Sequence, residues 1–96
     1  MDDVFRALAD PVRRTILEEL ARRDGQTLFE ICVLLMSVHQ LTISRQGASK
    51  HLAVLEAAGL VEIVPDGRYR RHHLRADHLT GTVTQWLTPF LREDLP

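Results

Sequence analysis

Hydrogen-bond donors and apolar residues occupy different faces of one stretch of the sequence, Ser44–Gly59. Ala48, Leu52 and Leu55 recur at helical spacing and predict one buried stripe. The side chains predicted for the other face, near the start, are Arg45, Gln46, Ser49 and Lys50. Guanidinium, amide, hydroxyl and ammonium groups at the start of a helix are groups that bind DNA phosphates and base edges. On its own, the stretch fits a DNA recognition helix and a solvated surface helix about equally well.

Both ends of this stretch carry residues that limit a helix. The Ser44 hydroxyl can accept a hydrogen bond from a backbone N–H that the first turn leaves without a partner. Gly59 can take the left-handed conformation that ends many helices. We therefore predict a helix over residues 44–58. His51 on this helix is predicted to contact DNA or to pack beside Leu55.

A basic hairpin is predicted directly after this helix. The β-branched run at residues 60–64 predicts a strand, residues 65–67 a turn, and residues 69–75 the returning strand. Its central arginines are Arg68, Arg70 and Arg71. Such a hairpin is either a wing that lies on the sugar-phosphate backbone or a solvated edge whose charges block aggregation. Its position beside the donor-rich helix favours a wing over residues 65–72.

Charge is unevenly distributed along the chain. The formal net charge is −1, which argues against a strongly basic nucleic-acid-binding protein. Between Ser44 and Arg75, however, six Lys and Arg residues accompany three Asp and Glu residues, so this segment carries +3 and the remainder −4. A local concentration of positive charge is what a phosphate-binding surface requires.

Length and composition restrict the class of protein. Ninety-six residues predict a single domain over residues 1–96, and a hydrophobic content of 45% is too high for a disordered chain. No apolar run is long enough to span a bilayer, and the acidic start lacks a signal-peptide pattern. The single cysteine, Cys32, excludes an internal disulfide and fits a reducing compartment. We therefore expect a cytoplasmic protein.

Three helices are predicted before the donor-rich stretch. The first covers residues 3–9, and the second covers residues 11–23 and begins with a proline that follows a capping aspartate. Thr27 and Glu30 have the spacing of a capping box, which begins the third helix. The third helix is apolar around more than one face, which predicts burial on two sides or packing on a partner chain. Residues 37–43 are predicted to be a connector.

The last predicted helix, residues 76–91, carries a long apolar stripe. Its members are Leu79, Val83, Trp86, Leu87, Phe90 and Leu91. The first helix has complementary apolar residues, Val4, Phe5 and Leu8. Together the two helices can bury these side chains in the core of one chain or form a dimer face. Pro89 is expected to disturb the final turn.

Several segments at the right separations together resemble the ArsR-type winged helix-turn-helix repressors. They are Phe5–Arg14 with Ile16 and Leu17, Ser44–Gln46, Ser49–Leu52 and Leu55–Val61. The resemblance covers nearly the whole chain and implies a mainly α fold with a small β-hairpin (α+β), in the order ααααββα. It also implies a homodimer that represses transcription by binding a two-fold symmetric operator in double-stranded DNA, and that releases it when an effector changes the dimer.

The resemblance places the DNA contacts in the recognition helix and the wing, and the dimer contacts in the first and last helices. The residues expected to contact DNA are Ser44, Arg45, Gln46, Ser49, Lys50, His51, Arg68, Arg70 and Arg71. The residues expected at the dimer interface are Val4, Phe5, Leu8, Leu79, Val83, Trp86, Leu87 and Phe90.

The sequence departs from the family pattern in the third helix. The segment from Thr27 to Ser44 is longer than is usual, so either this helix or the loop after it is extended. Metal-sensing members carry paired cysteines here, whereas this chain has Cys32 and then Leu34. A single thiolate is a poor site for a soft metal, so Cys32 is interpreted as a core residue.

The ligands of the zinc-sensing members are also incomplete, because Asp77 and His78 stand at only one end of the last helix. A metal site built mainly from histidines remains an alternative. The histidines concerned are His39, His72, His73 and His78. We expect no metal and no cofactor.

The sequence supports other classes of function less well than a DNA-binding repressor. A winged helix can bind a protein partner, which the acidic balance and the apolar third and last helices would suit. A thiol- or metal-responsive repressor that uses Cys32 is a variant of the DNA-binding interpretation. An enzyme is not expected, because the sequence shows no Gly-rich phosphate loop, paired metal ligands or nucleophile with a recognisable base. The sequence therefore predicts a DNA-binding transcriptional repressor.

Overall fold

A computed structural model describes the chain from residue 2 to residue 91. The elements within it are α1 (Asp2–Leu8), α2 (Pro11–Arg22), α3 (Leu28–Ser37), α4 (Arg45–Ala57), β1 (Val61–Asp66), β2 (Tyr69–Leu74), α5 (Ala76–Leu87) and a short 3-10 helix (Thr88–Phe90). This is the predicted winged helix-turn-helix fold, mainly α with one small hairpin. The predicted order ααααββα is confirmed, with the 3-10 helix added. No helix in residues 2–91 is long and apolar enough to cross a membrane.

Capping side chains begin three of the four helices that precede the hairpin, namely α2, α3 and α4. The Asp10 carboxylate accepts hydrogen bonds from the N–H groups of Val12 (2.8 Å) and Arg13 (3.3 Å) in the first turn of α2. At α3 the predicted capping box is present, since Glu30 N–H donates to Thr27 Oγ1 (3.2 Å) and Thr27 N–H donates to Glu30 Oε1 (3.0 Å). These bonds satisfy backbone donors that have no partner inside the helix.

The long segment between α3 and α4 is a loop rather than a longer helix. α3 ends at Ser37, and Gln40 adopts a left-handed conformation with φ of 54°. The loop is tied to the core by Leu41 N–H, which donates to the Leu35 carbonyl at 2.8 Å. His39 Nε2 lies 2.9 Å from Oε1 of Glu19, whose side chain is buried on α2. These contacts hold the start of α4 against α2 and α3.

β1 extends two residues further toward the turn than the sequence pattern predicted. β1 pairs antiparallel with β2 from Val61 opposite Leu74 to Asp66 opposite Tyr69. Pro65, assigned to the turn from sequence, lies inside β1, because an edge strand tolerates a residue without an N–H. The bend falls instead at Gly67, whose φ of +61° favours glycine.

An isolated β-bridge joins the hairpin to the loop before α3. Gln26, in the loop between α2 and α3, forms an antiparallel bridge with His72. His72 N–H donates to the Gln26 carbonyl at 2.8 Å, and Gly25 N–H donates to the His72 carbonyl at 3.0 Å. The hairpin is therefore anchored at its base to the segment that leads into α3.

One hydrophobic core joins α1, α2, α3, α4 and the base of the hairpin. Its most deeply buried large apolar side chains are Ile16, Leu20, Ile31, Leu35, Leu55 and Leu60. None of the described residues of α5 is buried, and Leu79 alone from α5 packs against the core. α5 ends at Leu87 rather than at the predicted residue 91, because Pro89 lies in the 3-10 helix and interrupts the α-helical hydrogen bonds.

Candidate DNA-binding surface

The recognition helix begins and ends where the sequence predicted. Ser44 Oγ accepts a hydrogen bond from Gly47 N–H at 2.9 Å and so caps α4. One Ser44 lone pair is therefore used inside the protein, although the residue is exposed. Gly59 follows the helix with φ of +77°, the left-handed conformation predicted for it.

α4 separates its apolar and polar side chains as its spacing predicted. Ala48, Leu52 and Leu55 are at most 2% exposed and pack in the core. The exposed polar side chains of its first turns are Arg45, Gln46, Ser49 and Lys50. The core therefore holds one side of α4 rigidly and leaves a row of hydrogen-bond donors in solvent.

A groove connects this helix to the hairpin. It has a volume of about 950 Å³, and its walls include Arg45 and Ser49 from α4 and Arg68 and Arg70 from the hairpin. Its floor is apolar, with Leu28, Leu52 and Ile63. Together with Arg71, which also lines the groove, the structure brings five of the predicted DNA-contacting residues to one concave surface.

The arginines of the hairpin differ in what they contact. Arg68 and Arg70 are exposed, and neither forms an ion pair with any carboxylate in residues 2–91. Their guanidinium groups are therefore free to bind phosphate.

Arg71 lies on the predicted wing and, unlike Arg68 and Arg70, has partners within the protein. Its Nε donates to Asp66 Oδ2 at 2.7 Å, and its Nη1 donates to the Gly25 carbonyl at 3.1 Å and lies 3.8 Å from Glu30 Oε1. The hydrogen bond to Asp66 raises the pKa of Arg71. The guanidinium therefore fastens the hairpin to the loop before α3.

His51 is also held inside the protein. Its Nδ1 lies 3.3 Å from Nη1 of Arg13, and the ring is half-buried beside α2. The sequence analysis included Arg13 only in the segment that carries the family resemblance and predicted no contact for it. A basic residue three positions after a capping aspartate was the available signal, but it does not show that the side chain reaches a helix 38 residues further along.

The two histidines of β2 have partners within the protein. His72 is buried and its Nδ1 lies 2.9 Å from the Gln26 carbonyl, while His73 Nδ1 lies 2.9 Å from Asp24 Oδ2. Partial desolvation raises the pKa of Asp24, but hydrogen bonds from Leu74 N–H and His73 outweigh it, so the pKa lies below its ordinary value. Among the described residues, no three His, Cys, Asp or Glu side chains converge as metal ligands do.

Cys32 lies on the side of α3 that packs against the core and is partly buried. Burial raises the pKa of its thiol above the ordinary value. The thiol is therefore protonated at neutral pH, and a protonated thiol is a weak nucleophile and metal ligand.

A second apolar surface lies on α1, α5 and the 3-10 helix. The Phe5 and Trp86 rings meet edge to face at 5.7 Å between centroids, and the Trp86 and Phe90 centroids are 5.1 Å apart. Trp86 and Phe90 are 48% and 66% exposed. Half-buried apolar residues of α1 and α5 are Leu8, Leu79, Val83 and Leu87.

Val4 does not belong to this apolar surface, contrary to the interface set derived from the sequence. It is only 2% exposed and packs in the core of its own chain. On the short helix α1, Val4 and Ala7 lie on the buried face, and Phe5 and Leu8 are left at its border. The sequence could not separate these faces, because seven residues make fewer than two helical turns.

Known proteins match this chain in both sequence and structure. A helix-turn-helix domain family model matches residues 8–64. Over 86 residues the chain is 41% identical to YuzN, an uncharacterised HTH-type transcriptional regulator of Bacillus subtilis (strain 168), covering 90% of this chain and 94% of that protein. An ArsR-like transcriptional regulator from Rhodococcus sp. RHA1 is 37% identical and superposes with a TM-score of 0.73, covering 93% of this chain and 76% of that chain. The chain belongs to the ArsR family of DNA-binding transcriptional regulators.

Membership of the ArsR family confirms the predicted fold and the predicted class of function, which is transcriptional regulation rather than catalysis. A further structure with the same fold is the homodimeric winged helix-turn-helix DNA-binding domain of a possible ArsR-family regulator from Mycobacterium bovis. It superposes with a TM-score of 0.70 at 22% identity, covering 99% of this chain and 83% of that chain.

Proposed function

We propose that this ArsR-family protein is a homodimeric repressor that binds a two-fold symmetric operator. α4 enters the major groove, and the wing contacts the sugar-phosphate backbone. The observation that supports this most is the row of exposed donors on α4 beside the free arginines of the hairpin, at one groove. The protein acts in the cytoplasm as a single domain over residues 1–96, without a cofactor.

The dimensions of α4 suit the major groove. Its 13 residues make a rod about 20 Å long, and the major groove of B-DNA is about 12 Å wide and admits one helix. Gln46 and Lys50 are one turn apart on the side away from the core, where they reach base edges or adjacent phosphates. Arg45, which lines the groove toward the wing, binds a phosphate or a guanine edge.

The wing contributes affinity rather than sequence preference. Arg68 follows the bend at Gly67, and Arg70 lies two residues further along the hairpin. Contacts of such arginines to phosphates position a protein on DNA without distinguishing bases. Arg71 lies beside them but is paired with Asp66, so we expect it to contribute less to this contact than Arg68 and Arg70.

The dimer in this proposal forms through the exposed aromatic surface of α1, α5 and the 3-10 helix. Single exposed apolar residues are common, but a contiguous cluster that includes a Trp and two Phe rings marks an interaction surface. The homodimeric state of the Mycobacterium bovis domain supports a second copy as the occupant. Two recognition helices about 34 Å apart would then read half-sites separated by one turn of DNA.

The proposal is tested by the affinity of the purified dimer for duplex DNA selected from a random-sequence library. Fluorescence anisotropy at several salt concentrations gives the number of phosphates contacted, because the logarithm of affinity falls by about 0.9 per contacted phosphate for each unit of log salt. We expect Lys50→Ala, Arg45→Ala and Arg68→Ala to weaken binding and to leave thermal unfolding nearly unchanged. Arg22→Ala, which removes an exposed arginine from the last turn of α2, is the matched control.

Equal affinity of all these variants at fixed salt would contradict the proposed surface. If no duplex is enriched even at low salt, the alternative of a winged helix that binds a protein partner gains support. Membership of a DNA-binding family already favours the DNA interpretation over that alternative.

A further inference from the structure

Arg13 is fixed at the junction of α1, α2 and α4. Its side chain is 15% exposed. Nε donates to the Ala7 carbonyl at 2.8 Å, and Nη2 donates to the Arg6 carbonyl at 3.1 Å. Both carbonyls belong to the last turn of α1, which leaves them without partners inside the helix. Two backbone carbonyl oxygens, those of Ala7 and Arg6, therefore fix the orientation of the guanidinium plane.

The remaining Nη1 of Arg13 faces a ring nitrogen of His51. It lies 3.3 Å from His51 Nδ1. A guanidinium stays charged and carries only donors, so the nitrogen that faces it must be an acceptor. This contact favours the ring tautomer in which Nδ1 accepts and Nε2 carries the hydrogen.

His51 occupies a particular position on the recognition helix. It follows Lys50 directly, and it lies one turn from Ala48 and from Leu55, at the border of the buried stripe. About half or more of protein–DNA hydrogen bonds go to phosphate and sugar rather than to base edges. A half-buried ring with its hydrogen fixed on Nε2 is suited to donate to a phosphate oxygen there.

We propose that Arg13 is a positioning residue for DNA binding, which fixes His51 as the Nε2–H tautomer so that His51 donates to a backbone phosphate of the operator. This inference rests on the proposed function of α4. It assigns to Arg13 a role that does not require contact with DNA. It also assigns to His51 one donor in a fixed direction instead of a freely rotating ring.

Arg14 provides a matched control for Arg13. Its Nη1 donates to the Leu8 carbonyl at 2.6 Å, so it also caps α1, but in residues 2–91 it makes no hydrogen bond to His51. Asp10 lies 3.9 Å from Arg13, and its carboxylate already accepts the N–H groups at the start of α2. A change seen in Arg13→Lys and absent in Arg14→Lys therefore reports the contact with His51 rather than the capping of α1.

The tautomer is measured by long-range ¹H–¹⁵N correlation NMR of the full-length protein at neutral pH, without DNA. We expect the two ring nitrogens of His51 to show the Nε2–H pattern in the native protein and in Arg14→Lys. In Arg13→Lys, where one ammonium replaces three directed donors, we expect a mixture of tautomers. An imidazolium or an Nδ1–H tautomer in the native protein would overturn the inference.

The role in DNA binding is measured with two substitutions that leave Arg13 in place. In His51→Asn the amide oxygen takes the position of Nδ1 and can still accept from Arg13, but the distal donor is lost. In His51→Gln the amide N–H₂ lies near the position of Nε2 and restores that donor. We expect His51→Asn to bind the selected operator about tenfold or more weakly, the effect of one hydrogen bond to a charged group, and His51→Gln to recover part of this loss.

The Lys50→Ala variant distinguishes a failure of the proposed role of His51 from a failure of the proposed DNA-binding function. If Lys50→Ala weakens binding and His51→Asn does not, the role of His51 is wrong and the proposed function stands. If neither substitution weakens binding, both are wrong. Because the two His51 variants retain Arg13 and its bonds to α1, the inference remains testable even if Arg13→Lys fails to fold.

Discussion

Replacement of Phe90 by Ala should dissociate the proposed dimer, and the structure allows the size of the effect to be worked out. A buried Phe side chain covers about 200 Å², and 66% of Phe90 is exposed in the single chain. About 130 Å² per copy is thus available, which corresponds to about 3 kcal/mol at 25 cal/mol per Å² if a partner covers all of it. With two copies and about half of this area covered, Phe90→Ala should cost about 3 kcal/mol per dimer, or roughly a hundredfold in the dissociation constant.

The matched control is Phe29→Ala. Phe29 is 67% exposed, almost the same fraction as Phe90, but it lies on α3 and lines the groove beside the recognition helix. Phe29→Ala therefore removes about the same exposed ring area as Phe90→Ala, but from a surface that has no part in the proposed dimer. Sedimentation equilibrium over a range of protein concentrations gives the dissociation constant of each variant.

We expect the dissociation constant to rise for Phe90→Ala and to stay within threefold of the native value for Phe29→Ala. The proposal that the aromatic surface forms the dimer is refuted if Phe90→Ala leaves dimer affinity unchanged. It is refuted equally if Phe29→Ala weakens the dimer as much, because the interface would then include α3. Circular dichroism of both variants checks that the fold is retained.

Three further outcomes follow from local contacts. Gly59→Ala should destabilise the protein by about 1–2 kcal/mol in urea unfolding, because its φ is +77° and a Cβ would lie 3.2 Å from the His78 ring; an unchanged midpoint would contradict the left-handed cap. Hydrogen bonds from Thr27 N–H and Arg23 lower the pKa of Glu30 below 4.5, so its stabilising contribution is present above that pH and is lost as the pH falls through the lower folded value. Native protein should therefore lose more stability than Glu30→Gln on acidification, and parallel pH profiles of the urea midpoint would argue against this role. Because the Cys32 thiol is protonated, Cys32→Ser and native protein should bind the operator equally with and without hydrogen peroxide; a response confined to the native protein would show that the thiol is a sensor.

Features that depend on nearby residues could be predicted from the sequence. The capping box at the start of α3, the cap at Ser44 and the left-handed Gly59 all follow from side chains within three residues of a helix end. The apolar stripe of α4 follows from helical periodicity, and it correctly separated the buried face from the exposed donors.

Features that depend on distant residues could not be predicted. The charge of Arg71 and its place in a basic hairpin suggest a DNA contact. Only the fold shows that Asp66, Glu30 and the Gly25 carbonyl surround its guanidinium. Arg13 is similar, because its partner His51 is 38 positions away. For such residues, charge and spacing indicate what chemistry is available but not which partner uses it.

The most direct test of the central claim is a hydroxyl-radical footprint of the purified protein on its selected operator. We expect two protected backbone segments on one face of the duplex, related by two-fold symmetry and centred about 10 bp apart, as two α4 helices in successive major grooves require. Protection should weaken at both segments in Lys50→Ala and persist in Arg22→Ala. A single protected segment without symmetry, or protection that Lys50→Ala leaves intact, would contradict recognition by a pair of α4 helices.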